Sequence, residues 1–370
     1  MPVLDLTHRQ APPALEIRAS AADELLMSLC AFTAGGEQWA GYDVGPAWFK
    51  AVQMDASPDL CAAISAFSAG YQKIWAQLLS LVEETPQPRE VPAFLAHLKA
   101  TTARHLYLHL LGYYLAGSRG TTRPEIILEA ANGDPGAKRT FLAASFPEDP
   151  DWQNVLRHLL SLGAEQAKQQ VLDILAGWYR EVFQKREATI MPILVRDAAA
   201  KRKLSRTVPV ERLIELATNG VAYEPEAGIH RVVLIPTVVM RPWVVISEHQ
   251  DTKIFCYPAA ESLTAEDNAP PTQLLRLHQS LGDERRLRIL RELAYRRLTL
   301  QEMAAFLGVA PSTMHHHLAA LRAAGLVTLH PGTEKRYTLR RNALASVADL
   351  LHAYVYGDAE EDHGRSQGSS

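Results

Sequence analysis

Thr299 followed three residues later by Glu302 is the tightest local constraint in the 370-residue chain. The pair forms a capping box, in which each side chain satisfies a backbone N–H at a helix start, and Leu298 and Met303 fit the accompanying hydrophobic staple. The helix so opened runs over Leu300 to Leu307 and stops at Gly308, a residue type that tolerates the left-handed end conformation. Only Val309 and Ala310 remain before Pro311, whose missing N–H suits a first helical turn. A second helix therefore runs from Pro311 to Ala324 and ends at Gly325. Met314, Leu318 and Leu321 recur at i, i+4 and i+7, so this helix turns one apolar stripe to the core. Leu326 to His330 and Lys335 to Leu339 then read as two strands bracketing the turn residues Pro331, Gly332 and Thr333. Two short helices, a tight turn and a hairpin make a winged helix-turn-helix.

The other face of the second helix is short and polar. It carries Ser312, Thr313, His315 and His316, with Ala319 and Ala320 beyond, so nothing bulky obstructs approach to a groove. A B-DNA major groove, about 12 Å wide, admits such a helix. Hydroxyls and imidazoles can donate or accept there, which makes Ser312, Thr313, His315 and His316 the candidates for base-edge contact. Neighbouring helical residues diverge by about 100°, so His315, His316 and His317 cannot share one metal ion. His317 falls nearer the core edge. Residues 271–345 hold twelve Lys/Arg against five Asp/Glu, a net +7 in a chain whose total is −3. A basic module on an acidic protein is the electrostatic footprint of a nucleic-acid site. Arg322, Lys335 and Arg336 are the candidates for phosphate contact, the last two from the wing.

Leu281-Gly282-Asp283-Glu284-Arg285-Arg286-Leu287-Arg288-Ile289-Leu290, then Met303 to Val309, Pro311 to Leu318 and Leu321 to Val327, resemble the ArsR-type bacterial repressors. The resemblance covers about the last quarter of the chain. It implies a homodimer whose recognition helices read an inverted repeat, with the helix around Leu274 and the closing helix, roughly Asn342 to Tyr356, making the dimer contact. The thiolate ligands of metal-sensing members have no counterpart in Leu298 to Met303. Asp349 and His352 lie one turn apart near another metal position of that family, without its full ligand set.

The length exceeds one typical domain. A hydrophobic content of 47% and a charged content of 21% are ordinary for a globular protein. No signal peptide and no run of about 20 apolar residues is present, which predicts a cytoplasmic protein without a membrane partner. Three scattered cysteines, Cys30, Cys61 and Cys256, argue for buried reduced thiols rather than a disulfide framework.

Leu15 to Arg18 alternates like a strand, and Ser20 caps an apolar helix from Ala21 to Phe32. Helical runs follow over 71–84 and 91–115. The second of these carries His105 and His109 at i and i+4, with His97 two turns earlier, a spacing that can hold a divalent metal. No glutamate sits beside either histidine, and Tyr107, Tyr113 and Tyr114 suggest a packed aromatic surface instead. From Trp152 a long amphipathic region follows, in which Val171, Ile174, Leu175, Trp178 and Val182 keep a helical period. The basic run Arg196 to Lys203 reads as a solvated face. Between Ile229 and Pro258 three β-rich runs read as a small antiparallel meander buried on both faces. In the C-terminal module Leu287, Leu290 and Leu293 give one helix its buried stripe, and Leu344, Val347, Leu351 and Tyr354 line the closing helix.

The expected fold class is mainly α with small β elements. A large helical N-terminal domain with a β meander, residues 1–258, precedes a linker over 259–271, a winged helix-turn-helix over 272–356 and a disordered tail over 357–370. The N-terminal part resembles an uncharacterised domain found upstream of ArsR-type modules. Together these imply a one-component transcription regulator, a repressor whose partners are an operator DNA duplex, a second copy of itself and a small-molecule effector sensed by the N-terminal domain. No phosphate-binding loop, dinucleotide fingerprint, nucleophile elbow or zinc-protease helix occurs, so no cofactor, metal ligand or catalytic residue is assigned. The rival from another class is an enzyme carrying a DNA-binding domain, with its chemistry around His97, His105, His109 or Tyr107.

Overall fold

The computed structural model describes residues 12–115, 121–260, 270–332 and 334–356. The fold is mainly α with small β elements. It divides into two compact units, one formed by residues up to 203 together with 225–259, the other by 204–224 together with the chain from 260 onward. The expected tail over 357–370 and most of the expected linker lie outside the described residues.

The first unit is built around α1 (Ala21–Ala34), whose residues 21–32 are all buried. Ser20 starts it by accepting from the Asp23 N–H at 3.2 Å. A helix buried on every side, with Asp23 and Glu24 among its buried residues, lies inside the protein. Its core shell includes α2 (Gly45–Asp55), α3 (Pro58–Ser68), a 3-10 segment Gln72–Leu78 running into α4 (Leu79–Glu84), α7 (Pro124–Ala131), α8 (Pro135–Ala144) and α9 (Pro150–Trp178). Trp178 Nε1 donates to Ser28 Oγ of α1 at 2.9 Å, fixing the far end of α9 against it. After a π-helical turn at Tyr179–Phe183 the chain continues as α10 (Gln184–Leu204).

The β part of this unit is not the antiparallel meander that the three β-rich runs imply. β1 (Ala14–Ile17), β2 (Arg231–Thr237), β3 (Val245–His249) and β4 (Thr252–Pro258) form a mixed sheet in the order β1-β2-β4-β3. β1 pairs parallel with β2 and β2 parallel with β4, and only the β3–β4 hairpin is antiparallel. The connection between β2 and β3 carries β3 to the far side of β4, so β2 and β4 run the same way. Both are central and buried on both faces, as their continuous apolar runs require. Val233, Ile235, Ile254 and Cys256 join the helical core. Tyr257 donates instead to buried Asp197 of α10 at 2.7 Å. Asp197 also accepts from Lys201 at 3.2 Å, and Arg202 donates to the Ile17 carbonyl at 2.9 Å. Part of the run from Arg196 to Lys203 is thus structural rather than a solvated face.

Helical periodicity predicts one helix over 91–115, but the chain breaks into α5 (Val91–Ala100) and α6 (Ala103–Leu110). Thr102 is the cause: its hydroxyl accepts from the His105 N–H at 3.2 Å and so opens a new helix.

The second unit contains α11 (Val210–Ala217), α12 (Thr272–Leu281), α13 (Glu284–Leu293), β5 (Leu298–Thr299), α14 (Leu300–Leu307), α15 (Pro311–Ala323), β6 (Val327–His330), β7 (Arg336–Leu339) and α16 (Arg341–Tyr356). β5, β7 and β6 form an antiparallel sheet in that order. Met303, Met314, Leu318, Leu321, Leu326 and Tyr337 are buried in one core with Ile289, Leu290 and Leu293 of α13. Leu287 is not part of that stripe, being 48% exposed, and Ile289 takes its place.

Segment 204–224 clusters with this unit, although by sequence position it falls within residues 1–258. After α11 the chain lies along the free edge of β6: the Ala222 N–H donates to the Leu329 carbonyl and the Leu329 N–H to the Gly220 carbonyl, both at 2.8 Å. Gly220, at φ +117°, allows the approach, since a Cβ there would stand 2.8 Å from the Val327 carbonyl oxygen.

Candidate nucleic-acid interface

The capping box forms as its sequence dictates. The Glu302 N–H donates to Thr299 Oγ1 at 3.1 Å and the Thr299 N–H to Glu302 Oε2 at 2.7 Å. Gly308 closes α14 at φ 64°, ψ 35°, and turns the chain directly into α15. α15 starts differently. Pro311 occupies its first turn and Ala310 offers no side-chain cap, so its leading N–H groups have no side chain of their own to satisfy them. Such a helix end favours an external anion such as a phosphate oxygen.

Met314, Leu318 and Leu321 fix the rotation of α15 by burying their side chains. Ser312, His315 and His316 are consequently exposed, with Thr313 half-buried at the edge of the face. The rings of His315 and His316 lie edge to face, with centroids 6.2 Å apart. His317 turns back toward Asp283 and Arg286; its Nε2 is buried without a hydrogen-bond partner among the described residues, and burial lowers its pKa.

The two wing strands pair from Val327–Leu339 to His330–Arg336. His330 Nε2 and Thr338 Oγ1, 2.9 Å apart, tie them side to side. Lys335 is exposed at the wing. Arg336 is held by Glu334 at 2.8 Å and lies 3.7 Å from Glu302, so a phosphate would have to compete with two carboxylates for it. Arg322 is half-buried on α15 near Tyr337, and burial lowers its pKa. Arg285, Arg288 and Arg291 of α13 are exposed and add to the positive surface.

Residues 281–330 match a family described as a helix-turn-helix domain. The match runs from the end of α12 to the end of β6 and supports a DNA-binding regulator. No curated protein and no solved structure matches the chain. No helix among the described residues is long and apolar enough to cross a membrane.

The histidines singled out in the first unit are brought together by packing rather than by spacing alone. His105 Nε2 lies 2.9 Å from Glu84 Oε2, His109 Nε2 lies 3.5 Å from Glu84 Oε1, and His97 Nε2 stands 3.7 Å from the same carboxylate. The glutamate missing beside the histidines in sequence therefore arrives from α4. His249, at the end of β3, approaches to 3.9 Å. Tyr107 is not part of the cluster: it is buried and donates to the Leu159 carbonyl at 2.8 Å. Asp349 and His352 are exposed on α16, where His352 packs on the Tyr356 ring at 4.7 Å. Glu84 and His249 carry no local signal, since neither lies within a helical turn of the residues it joins.

Proposed function

We propose that the chain is a bacterial one-component transcription regulator of the ArsR type. It acts as a repressor that binds an inverted-repeat operator as a homodimer, and its first unit binds a small-molecule effector without turning it over. The observation that carries the reading is the exposed face of Ser312, His315 and His316 on a helix whose opposite side is locked into the core, beside a wing that presents Lys335. In this reading α15 enters the major groove, its side chains read base edges, and the wing and the helix start hold the phosphates.

A second observation supports the dimer. Leu275 on α12 and Leu344, Leu351, Tyr354, Val355 and Tyr356 on α16 are 40–60% exposed, an apolar surface on the two helices that the resemblance assigns to self-association. The test is fluorescence anisotropy of the full chain on the duplex upstream of its own reading frame, against a random duplex of equal length, with mass measured by light scattering. A dimer that prefers the upstream duplex is the expected result. A monomer, or equal affinity for both duplexes, defeats the proposal.

A further inference from the structure

The strongest unassigned chemistry lies in the first unit, where α4, α5, α6 and the end of β3 bring four imidazoles around one carboxylate. Glu84, His105 and His109 offer ligand atoms that all lie within 4.8 Å of one another. With Glu84 Oε1 as the carboxylate ligand, the separations are 3.1 Å from His105 Nε2 to Oε1, 3.3 Å between the two Nε2 atoms and 3.5 Å from His109 Nε2 to Oε1. Ligand atoms about 2.0–2.1 Å from a tetrahedral ion stand about 3.3 Å from each other. The triangle thus has the edge lengths of one face of a zinc tetrahedron.

The outer hydrogen bonds orient the rings for the same purpose. Ser80 Oγ donates to the Gln77 carbonyl at 3.0 Å, so in the 2.5 Å contact with His109 Nδ1 the ring nitrogen is assigned as donor. His109 Nε2 then presents a lone pair toward the Glu84 carboxylate and His105. Tyr114 holds His105 Nδ1 at 3.0 Å, again leaving Nε2 directed inward. A ligating histidine commonly has its other nitrogen held in this manner. A lone pair and a carboxylate at this distance repel unless a cation lies between them. Around this triangle, His97 Nε2 and His249 Nδ1 are buried without hydrogen-bond partners among the described residues.

We propose that Glu84, His105 and His109 bind a divalent transition-metal ion of the zinc class, with the fourth position left to water or an incoming ligand and flanked by His97 and His249. Imidazole with one carboxylate and no thiolate suits Zn²⁺, Co²⁺ and Ni²⁺ rather than Ca²⁺ or Mg²⁺. Side-chain exposures of 33% for His105 and 23% for Glu84, against 0% for His109, leave one side open for the ion to enter. Three protein ligands with an open position is the pattern of sites that act on or bind something further, as opposed to closed structural sites. The site lies outside the helix-turn-helix, so it stands or falls independently of DNA binding.

The test uses the full chain, stripped with chelator and titrated with Zn²⁺ or Co²⁺ alone. One equivalent per chain should bind and survive desalting, Co²⁺ should show the visible absorption of a tetrahedral site, and Zn²⁺ should raise the melting temperature. Loss of an outer hydrogen-bond partner typically weakens a metal by about 10–100-fold, so His105→Gln or Glu84→Gln should weaken binding by more than that. Both variants should melt where the metal-free parent melts and gain nothing from Zn²⁺. His278→Gln, on α12 in the other unit, should bind like the parent. The proposal is overturned if no equivalent binds, if His105→Gln and Glu84→Gln keep it, or if His278→Gln loses it. Should a substitution unfold the chain, the parent's stoichiometry and Co²⁺ spectrum decide alone.

Discussion

Replacing Gly325 by alanine should disrupt the junction between α15 and β6. Gly325 sits at φ +66°, and a Cβ built there would lie 2.5 Å from Asn219 Nδ2. An L-residue in that left-handed region costs about 1–2 kcal/mol. The Asn219 amide must also move, and it accepts a 2.5 Å hydrogen bond from Arg340 Nη1. A hydrogen bond to a charged group contributes about 1.5–3 kcal/mol, so the two effects together cost about 2.5–5 kcal/mol. All six tryptophans lie in the first unit, so fluorescence follows that unit and not the change. Amide hydrogen exchange over 311–330 reads it directly, as a loss of protection in α15 and β6. Asn219 is itself left-handed at φ 53°, which makes glycine the fitting replacement there. In an Asn219→Gly background the overlap and the lost bond are both gone, and Gly325→Ala should cost only the backbone term of about 1–2 kcal/mol. An equal cost in both backgrounds, or one below about 1 kcal/mol in the parent, refutes the packing argument.

Lys335→Ala should weaken binding to all duplexes alike and lower the salt slope by about 0.9, whereas His316→Ala should cost about 1–3 kcal/mol on the preferred duplex and little on random DNA. Equal losses on both duplexes for both variants would contradict that division. Leu351→Glu on α16 should convert a dimer to monomers by light scattering without changing the circular dichroism, and an unchanged mass would remove α16 from the contact. Glu24 gives a pH dependence. Its Oε1 accepts from the Val238 and Val239 N–H groups at 3.0 Å each, and burial raises its carboxyl from 4.5 to about 7. Between those values the folded state holds a proton that the unfolded chain releases, so stability falls as pH rises from about 4.5 to about 7, by roughly 3 kcal/mol. Glu24→Gln should remove that slope in urea unfolding followed by tryptophan fluorescence at pH 5 and pH 8, and an unchanged slope would show that another group is responsible.

The features legible in the sequence are those that a few neighbouring residues determine. Thr299 with Glu302, Gly308 and Pro311 each act within one helical turn, so α14 and the start of α15 lie where the residues place them. Ser20 does the same for α1. The sheet order was not legible, because the β-rich runs specify strands but not which edge each strand meets. Segment 204–224 shows the same limit: its pairing with β6 depends on residues more than a hundred positions away.

The histidine cluster joins the two cases. Helical geometry puts His105 and His109 on one face wherever the chain is helical, and that much can be read from a spacing of four. Whether the pair is a surface feature or part of a site depends on what faces it. Here two contributions from outside the helix decide: Thr102 breaks the chain so that α6 starts afresh, and the last residue of α4 brings Glu84 opposite both rings. A carboxylate 21 residues away in sequence cannot be inferred from the motif, yet it changes the meaning of the motif. A search that requires the glutamate beside the histidines, as in a zinc-protease helix, finds nothing in this chain because the ligand set is assembled by helix packing. The same reasoning limits what substitution at Glu84 can do: it removes the charge that faces the imidazoles but leaves the Thr102 cap and the aromatic packing of α6 intact, so its effect on metal affinity should be separable from its effect on the fold.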